Sequence, residues 1–207
     1  MASDPAFPPG FFDRTDPTDD ARFYGADRFV THIDDRAIAA VGALYDELVL
    51  AGRLLDVMSS WVSHLRVAPD ELVVLGMNPR ELAANRHASA QVVQDLNADT
   101  VLAFEDQSFD GAMCAVSVDY LVRPLEVFAE VRRVLKTGAP FVCTFSNRCF
   151  PTKAIRGWLA TSDEQHCEIV AEYFRRSGGW TEPVAALRTP RGDPGDPLYA
   201  VHASATR

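Results

Sequence analysis

Cysteine is scarce in this sequence, and its four copies, Cys114, Cys143, Cys149 and Cys167, contain no C-x-x-C pair. That spacing argues against a structural zinc site. Cys114 and Cys143 lie in apolar runs and read as inert core thiols. No apolar run approaches the ~20 residues that cross a bilayer, so no membrane span is expected. No basic segment followed by an apolar core opens the chain, so the expectation is a cytoplasmic protein with reduced thiols. Positive charge is short as well: 20 Lys and Arg stand against 29 Asp and Glu, a net charge of −9. That sign argues against nucleic acid as a partner. Repeats are absent, and no G-x-G-x-x-G follows the first strand-like run, which disfavours a nicotinamide-dependent oxidoreductase.

What remains is an ordinary globular composition, 47% hydrophobic and 24% charged over 207 residues, long enough to bury roughly 70% of its unfolded surface in one domain. Residues 1–33 form an arm rich in Pro, Asp and aromatics (Phe7, Phe11, Phe12, Phe23, Tyr24, Phe29). So many aromatics would be wasted in a disordered tail. The arm is expected to have irregular backbone and to fold back over the domain of residues 34–207.

The stretch from Leu54 to Leu65 organises that domain. Leu54, Leu55 and Val57 suit a buried strand and are too few for a buried helix. Asp56 sits inside the run, where a carboxylate is costly unless partnered. It either faces a ligand at the end of a first strand, before a turn into a helix, or caps neighbouring amides. A helix is expected from Asp34 or Asp35, with Ala37, Val41, Leu44, Tyr45 and Leu48 on one face and Gly52 as its stop. Further strands are read in Glu71–Pro79, where the strand runs into a turn, and at Gln91–Asp95, Phe109–Ser117 and Ala139–Ser146. Trp180–Arg188 and Pro197–Ala203 complete the set. Helices are read from Asn78-Pro79 to about His87, from Pro124 to Leu135, and from Thr152 to Arg176 with a break near Ser162. This alternation predicts an α/β fold: one Rossmann-like, seven-stranded, mostly parallel sheet with helices on both faces and an antiparallel C-terminal strand.

The order of motifs resembles the class I S-adenosylmethionine-dependent methyltransferases over about residues 35–205. The most specific segment is Glu105-Asp-Gln-Ser-Phe-Asp110, its following strand, and Glu130-Val-Arg-Arg-Val-Leu-Lys-Thr-Gly138. It is similar to the passage L-P-F-x-x-x-S-F-D … E-x-x-R-V-L-K-P-G-G of the type 11 methyltransferases. The resemblance implies S-adenosyl-L-methionine as cofactor and a small-molecule acceptor. The family's loop V-L-D-x-G-x-G-x-G is matched at Asp56, but Met58, Ser60 and Val62 stand where the glycines would. Glycine allows close backbone approach and positive φ. Ser59, Ser60 and Ser63 are therefore expected to offer hydroxyls to the cofactor's carboxylate. By position the ribose falls to Asn78, after Met77, and the adenine to Asp95 and Leu96.

Ser117-Val-Asp-Tyr120 holds the position where family members often carry an acceptor-facing residue. Asp119 is the expected base and Tyr120 the expected acceptor guide or sulfonium contact; the alternative packs Tyr120 under the next helix. Ser117 is assigned to the cofactor. Arg148 and Lys153 are candidates for an anionic acceptor or for structural ion pairs, and Cys149 is a loop thiol with no paired base. Tyr24 and His32 of the arm are expected in the acceptor pocket. The leading reading is a small-molecule methyltransferase. Its rival is the same fold binding a cofactor or ligand without methylating, as a non-methylating catalyst or regulatory partner. The sequence leaves the oligomeric state open.

Overall fold

A computed structural model describes residues 7–192 and 194–207; the expected arm therefore begins, at residues 1–6, outside the described residues. The elements run α1 (Asp20–Tyr24), α2 (Asp35–Glu47), β1 (Arg53–Val57), β2 (Glu71–Gly76), α3 (Pro79–Ala84), β3 (Ala90–Val93), β4 (Gly111–Ala115), a 3₁₀ turn (Val118–Tyr120), α4 (Pro124–Val134), β5 (Pro140–Phe145), α5 (Arg156–Leu159), α6 (Asp163–Ser177), β6 (Val184–Leu187) and β7 (Tyr199–Ser204). The seven strands form one sheet in the order β3-β2-β1-β4-β5-β7-β6. β1 to β5 pair in parallel, and β7 runs antiparallel between β5 and β6. This is the expected Rossmann-like sheet, with the last two strands paired antiparallel at one edge and β7 between β5 and β6.

Each face of the sheet has its own core. Leu55, Val57, Val73, Leu75, Cys114, Phe141 and Phe145 pack against Phe128 and Val131 of α4 and Val170 and Phe174 of α6. Leu54, Leu72, Val74, Met113 and Val142 pack against Ala37, Val41, Leu44 and Tyr45 of α2 and Leu82 of α3. The neighbours Leu54 and Leu55 thus serve opposite faces, as the two-residue strand period requires.

Local signals explain most boundaries. Asp34 caps α2 by accepting from the Arg36 and Ala37 amides. The helix stops at Glu47, short of Gly52: Val49 is already left-handed, with φ 53°. Gly52, at φ 77°, instead lies against the Asp110 carboxylate. The expected break near Ser162 is a capping box between Ser162 and Gln165 that starts α6. In the type 11-like segment, Glu130 accepts from the Leu102 amide, and Arg133 donates to the carbonyls of Leu102 and Phe104 and to Asp106. Those residues clamp the helix-free connection between β3 and β4. Among the described residues, no helix is long and apolar enough to cross a membrane.

Two expectations fail. No helix joins β1 to β2; residues 58–70 cross as an extended loop whose Leu65 joins the α2 core and whose Arg66 spans α2 through the Ala39 carbonyl and Asp46. The arm is not wholly irregular, because Asp19 caps the short helix α1. The arm docks on the far end of the chain: Phe11 packs on Gly157, Arg14 bridges to Ile155, and Phe7 lies 5.6 Å from the Tyr173 ring. Lys153, fully buried, is held by Asp20 at 3.0 Å and Asp16 at 3.2 Å, and Arg14 closes on Asp20 at 2.8 Å. Breaking such a buried network costs about 3–5 kcal/mol.

Candidate active site

At the C-terminal ends of β1, β2 and β4 lies a cavity of ≈ 320 Å³, where parallel sheets hold their ligands. Its floor comes from the strand ends, its sides from the loops after β1 and β5, and its roof from the arm between Asp20 and His32.

The loop after β1 is built around Asp56. Its buried Oδ2 accepts from the hydroxyls of Ser59 at 2.7 Å and Ser63 at 2.5 Å. Burial pushes this carboxyl up to about 6, and the two hydroxyls oppose the rise. Ser60 donates to Glu81 at 2.6 Å, and Asn85 ties the Ser60 carbonyl and the Ser63 hydroxyl together. The three hydroxyl protons expected to face a cofactor carboxylate are therefore given to acids of the protein itself. With no helix after the loop, there is also no helix N-terminus to receive an anion.

The missing glycines leave a mark on the backbone. Met58, at the first glycine position, has φ 56°. His64 and Val116, which also line the cavity, have φ 55° and 52°. A left-handed non-glycine residue costs roughly 1–3 kcal/mol, so strain is concentrated at this site. Close backbone approach comes instead from the facing strand. At Gly76 a Cβ would lie 2.2 Å from the Ser59 carbonyl oxygen, while the Ser59 amide donates to Leu75 at 2.7 Å.

The positions assigned from sequence come together only in part. Met58, Ser59, Ser60, Met77, Asn78, Asp95, Leu96, Ser117, Tyr120, Tyr24, His32 and Arg148 all reach the cavity wall. Asn78, however, has no group to spare. Its Oδ1 caps α3 through the Arg80 and Glu81 amides, and its Nδ2 donates to the Tyr24 carbonyl and to Asp27. Asp95 uses Oδ1 on the Asn97 amide and keeps its other oxygen. Ser117 donates within the loops, to Ala115 and Met58 carbonyls.

Asp119 is not part of the wall. It is 2% exposed, burial pushes its carboxyl up to about 8, and Oδ2 has no partner among the described residues. A carboxyl that keeps its proton at neutral pH is no general base. The Tyr120 hydroxyl accepts from the Phe150 amide at 2.9 Å, which fixes the loop after β5. Arg148 is engaged by Asp196 at 2.8 Å, and Lys153 is buried in the arm cluster. Burial pushes the Cys149 thiol up to about 11, which leaves it a poor nucleophile.

Residues not foreseen complete the site: Arg28, Trp61, His64, Glu81, Gln94, Asn97 and Phe150. Glu81 had a signal. Asn78-x-x-Glu81 has capping-box spacing, but the carboxylate turns to Ser60 and to the Arg28 amide at 2.7 Å. Trp61 holds the roof by donating to the Val30 carbonyl at 3.1 Å. Burial holds His32 below its ordinary range; burial and the neighbouring His32 bring His64 down to about 4. Both imidazoles are neutral at pH 7. Among the described residues, no cluster of His, Cys, Asp and Glu could hold a metal ion.

Residues 57–143 match the family described as "Methyltransferase domain". No curated protein matches the chain. Among solved structures, the complex between the Haloferax volcanii Trm112 methyltransferase activator and a methyltransferase contains a similar chain. It has 16% identity and TM-score 0.61, with 84% of this chain and 91% of that one covered. The [4+2]-cyclase SpnF is similar at 19% identity and TM-score 0.58, with 81% and 82% covered. Geranyl diphosphate C-methyltransferase from Streptomyces coelicolor A3(2) follows at 13% identity and TM-score 0.56, with 90% and 97% covered. Sheet order and solved neighbours give the chain a Rossmann-like methyltransferase fold, residues 57–143 match a methyltransferase domain, and the loop after β1 carries none of the glycines of that family's pattern.

Proposed function

We propose that the chain binds S-adenosylmethionine in this cavity and transfers its methyl group to a small-molecule acceptor. The observation that carries the reading is that Met58, Asp95, Leu96 and Ser117, from the loops after β1, β3 and β4, converge on one cavity. The nucleoside end of the cofactor fits there: Asp95 keeps one carboxylate oxygen free, and Leu96 offers an apolar contact. The cofactor, when bound, supplies an electrophilic methyl group on a sulfonium centre. The residues contribute alignment and exclusion of water, the main sources of acceleration for such a transfer. For an acceptor that arrives protonated, His32 takes the place first given to Asp119, because its imidazole is neutral and on the wall. The arm, through Tyr24 and His32, forms the acceptor side of the pocket.

Calorimetry with S-adenosylmethionine and S-adenosylhomocysteine tests the reading. Asp95→Ala should weaken both by at least tenfold, about 1.4 kcal/mol; an unchanged titration removes the assignment. The rival, a non-methylating catalyst, is favoured by the loop after β1, with its spent hydroxyls and absent helix. One neighbour, SpnF, carries a cyclase rather than a methyltransferase name. Cofactor binding with no methyl transfer from labelled S-adenosylmethionine to any acceptor would favour it.

A further inference from the structure

Most of the acids and cations around the cavity already have partners within the protein. Asp20 is shared by Arg14, Lys153 and Asn97. Asp56 takes Ser59 and Ser63, and Glu81 takes Ser60 and the Arg28 amide. Arg148 has Asp196, and Arg80, just outside, has Asp27. Arg28 alone among the wall's cations has no carboxylate partner among the described residues. Its guanidinium makes one hydrogen bond, from Nη1 to the Ala26 carbonyl at 3.1 Å, and the remaining N–H donors are uncommitted.

That guanidinium is held rather than loose. The Arg28 backbone N–H donates to the Glu81 carboxylate at 2.7 Å, and the guanidinium carbon lies 4.4 Å from the Phe23 ring centroid and 5.5 Å from that of Phe150. Phe150 is the hub of an aromatic cluster, with the His32 ring edge-on at 5.3 Å and the Tyr120 ring tilted at 5.9 Å. A fixed, half-buried fork of donors beside aromatic faces recognises a planar anion, because a bidentate arginine–carboxylate pair requires that geometry and the rings accept a flat body.

We infer that Arg28 and the rings around Phe150 form a receptor for the carboxylate of a small, planar acceptor. The word acceptor rests on the methyl-transfer reading; the receptor does not. Neutral aromatic compounds of the same shape bind poorly, because they leave the guanidinium without its charge partner.

The test uses the full chain and four probes, benzoate and 4-hydroxybenzoate against benzamide and 4-hydroxybenzamide, titrated by calorimetry with and without saturating S-adenosylhomocysteine. The acids should bind at least tenfold tighter than the amides. Arg28→Ala should remove that preference, and Arg28→Lys should keep part of it. If Arg28→Ala does not fold by circular dichroism, Arg28→Gln takes its place. A second arm settles whose carboxylate is held. S-adenosylhomocysteine has an amino-acid carboxylate and 5′-methylthioadenosine has none, and neither should lose affinity in Arg28→Ala. Loss for S-adenosylhomocysteine alone would give Arg28 to the cofactor and overturn the inference. Equal binding of acids and amides, no binding of either acid at millimolar concentration, or loss in Arg148→Ala but not in Arg28→Ala would overturn it too. Should S-adenosylhomocysteine fail to bind while the acids do, the methyl-transfer reading falls and the receptor stands.

Discussion

The carbonyl of Ser59 rests against the Cα of Gly76, with no room for a side chain between the loop after β1 and the end of β2. The loop therefore gets its path from a glycine on the neighbouring strand. Gly76→Ala should lower stability by about 1–3 kcal/mol, the usual cost of overpacking, and should weaken S-adenosylhomocysteine binding by displacing Met58 to Ser60. Thermal melts and calorimetry read both. A melt identical to that of the unaltered protein would mean the loop moves aside without cost.

Met58 holds a conformation that glycine adopts freely. Met58→Gly should melt above Met58→Ala, because both lose the side chain's packing against the core but only glycine relieves the left-handed strain. Equal melting temperatures of the two variants would show that Met58 is unstrained.

Asn78 reads as the ribose position, and on that ground an acid there should tighten cofactor binding. Its amide protons, however, go to the Tyr24 carbonyl and Asp27. Asn78→Asp should therefore lower stability by about 1–3 kcal/mol, the cost of a buried acceptor left unpaired beside a second carboxylate. Adding Asp27→Asn should restore much of the loss by returning a donor from the opposite side. Tighter S-adenosylhomocysteine binding in the single variant would return Asn78 to the ribose.

Asp119 keeps its proton in the native state up to about pH 8, against an ordinary carboxyl value of 3.8. The unfolded chain sheds that proton first, so this stabilisation is complete below 3.8 and is lost as the pH rises through 8. Asp119→Asn imitates the protonated form and escapes the loss. The variant's advantage in melting temperature should widen from pH 4 to pH 8 and level off above. Asp56 acts in the same direction up to about 6, and His64, lowered to about 4, acts in the opposite one below its ordinary 6.5. Both are common to the two proteins and cancel in the difference. A gap that stays constant from pH 4 to pH 8 would mean that native Asp119 is already ionised over that range.

The sheet was legible because each parallel strand is a short apolar run closed by a polar turn. Glu130 and Arg133 were recognisable because their structural task fixes both identity and spacing. The site was legible only where partners are close in sequence. Asp56 announces itself as a buried acid, but its hydroxyl partners read equally well as cofactor donors. Asn78 is claimed by Tyr24 and Asp27, some fifty residues earlier. Nothing local in Asp27-Arg28-Phe29 marks an unpaired guanidinium. The helix expected after β1 is replaced by bonds among Asp56, Ser59, Ser63 and Asn85, a network that no periodicity encodes.

The docking of the arm on Thr152 to Gly157 and on Tyr173 also sets a schedule for biosynthesis. Phe7, Phe11 and Phe23 leave the ribosome more than a hundred residues before Tyr173, Gly157 and Phe150, the residues they pack against. At about 5–20 residues per second, they wait on the order of ten seconds with their rings in water. Until residues 150–173 emerge, this chain therefore presents an uncovered aromatic segment to solvent, and a chaperone that binds emerging aromatic stretches has its target there.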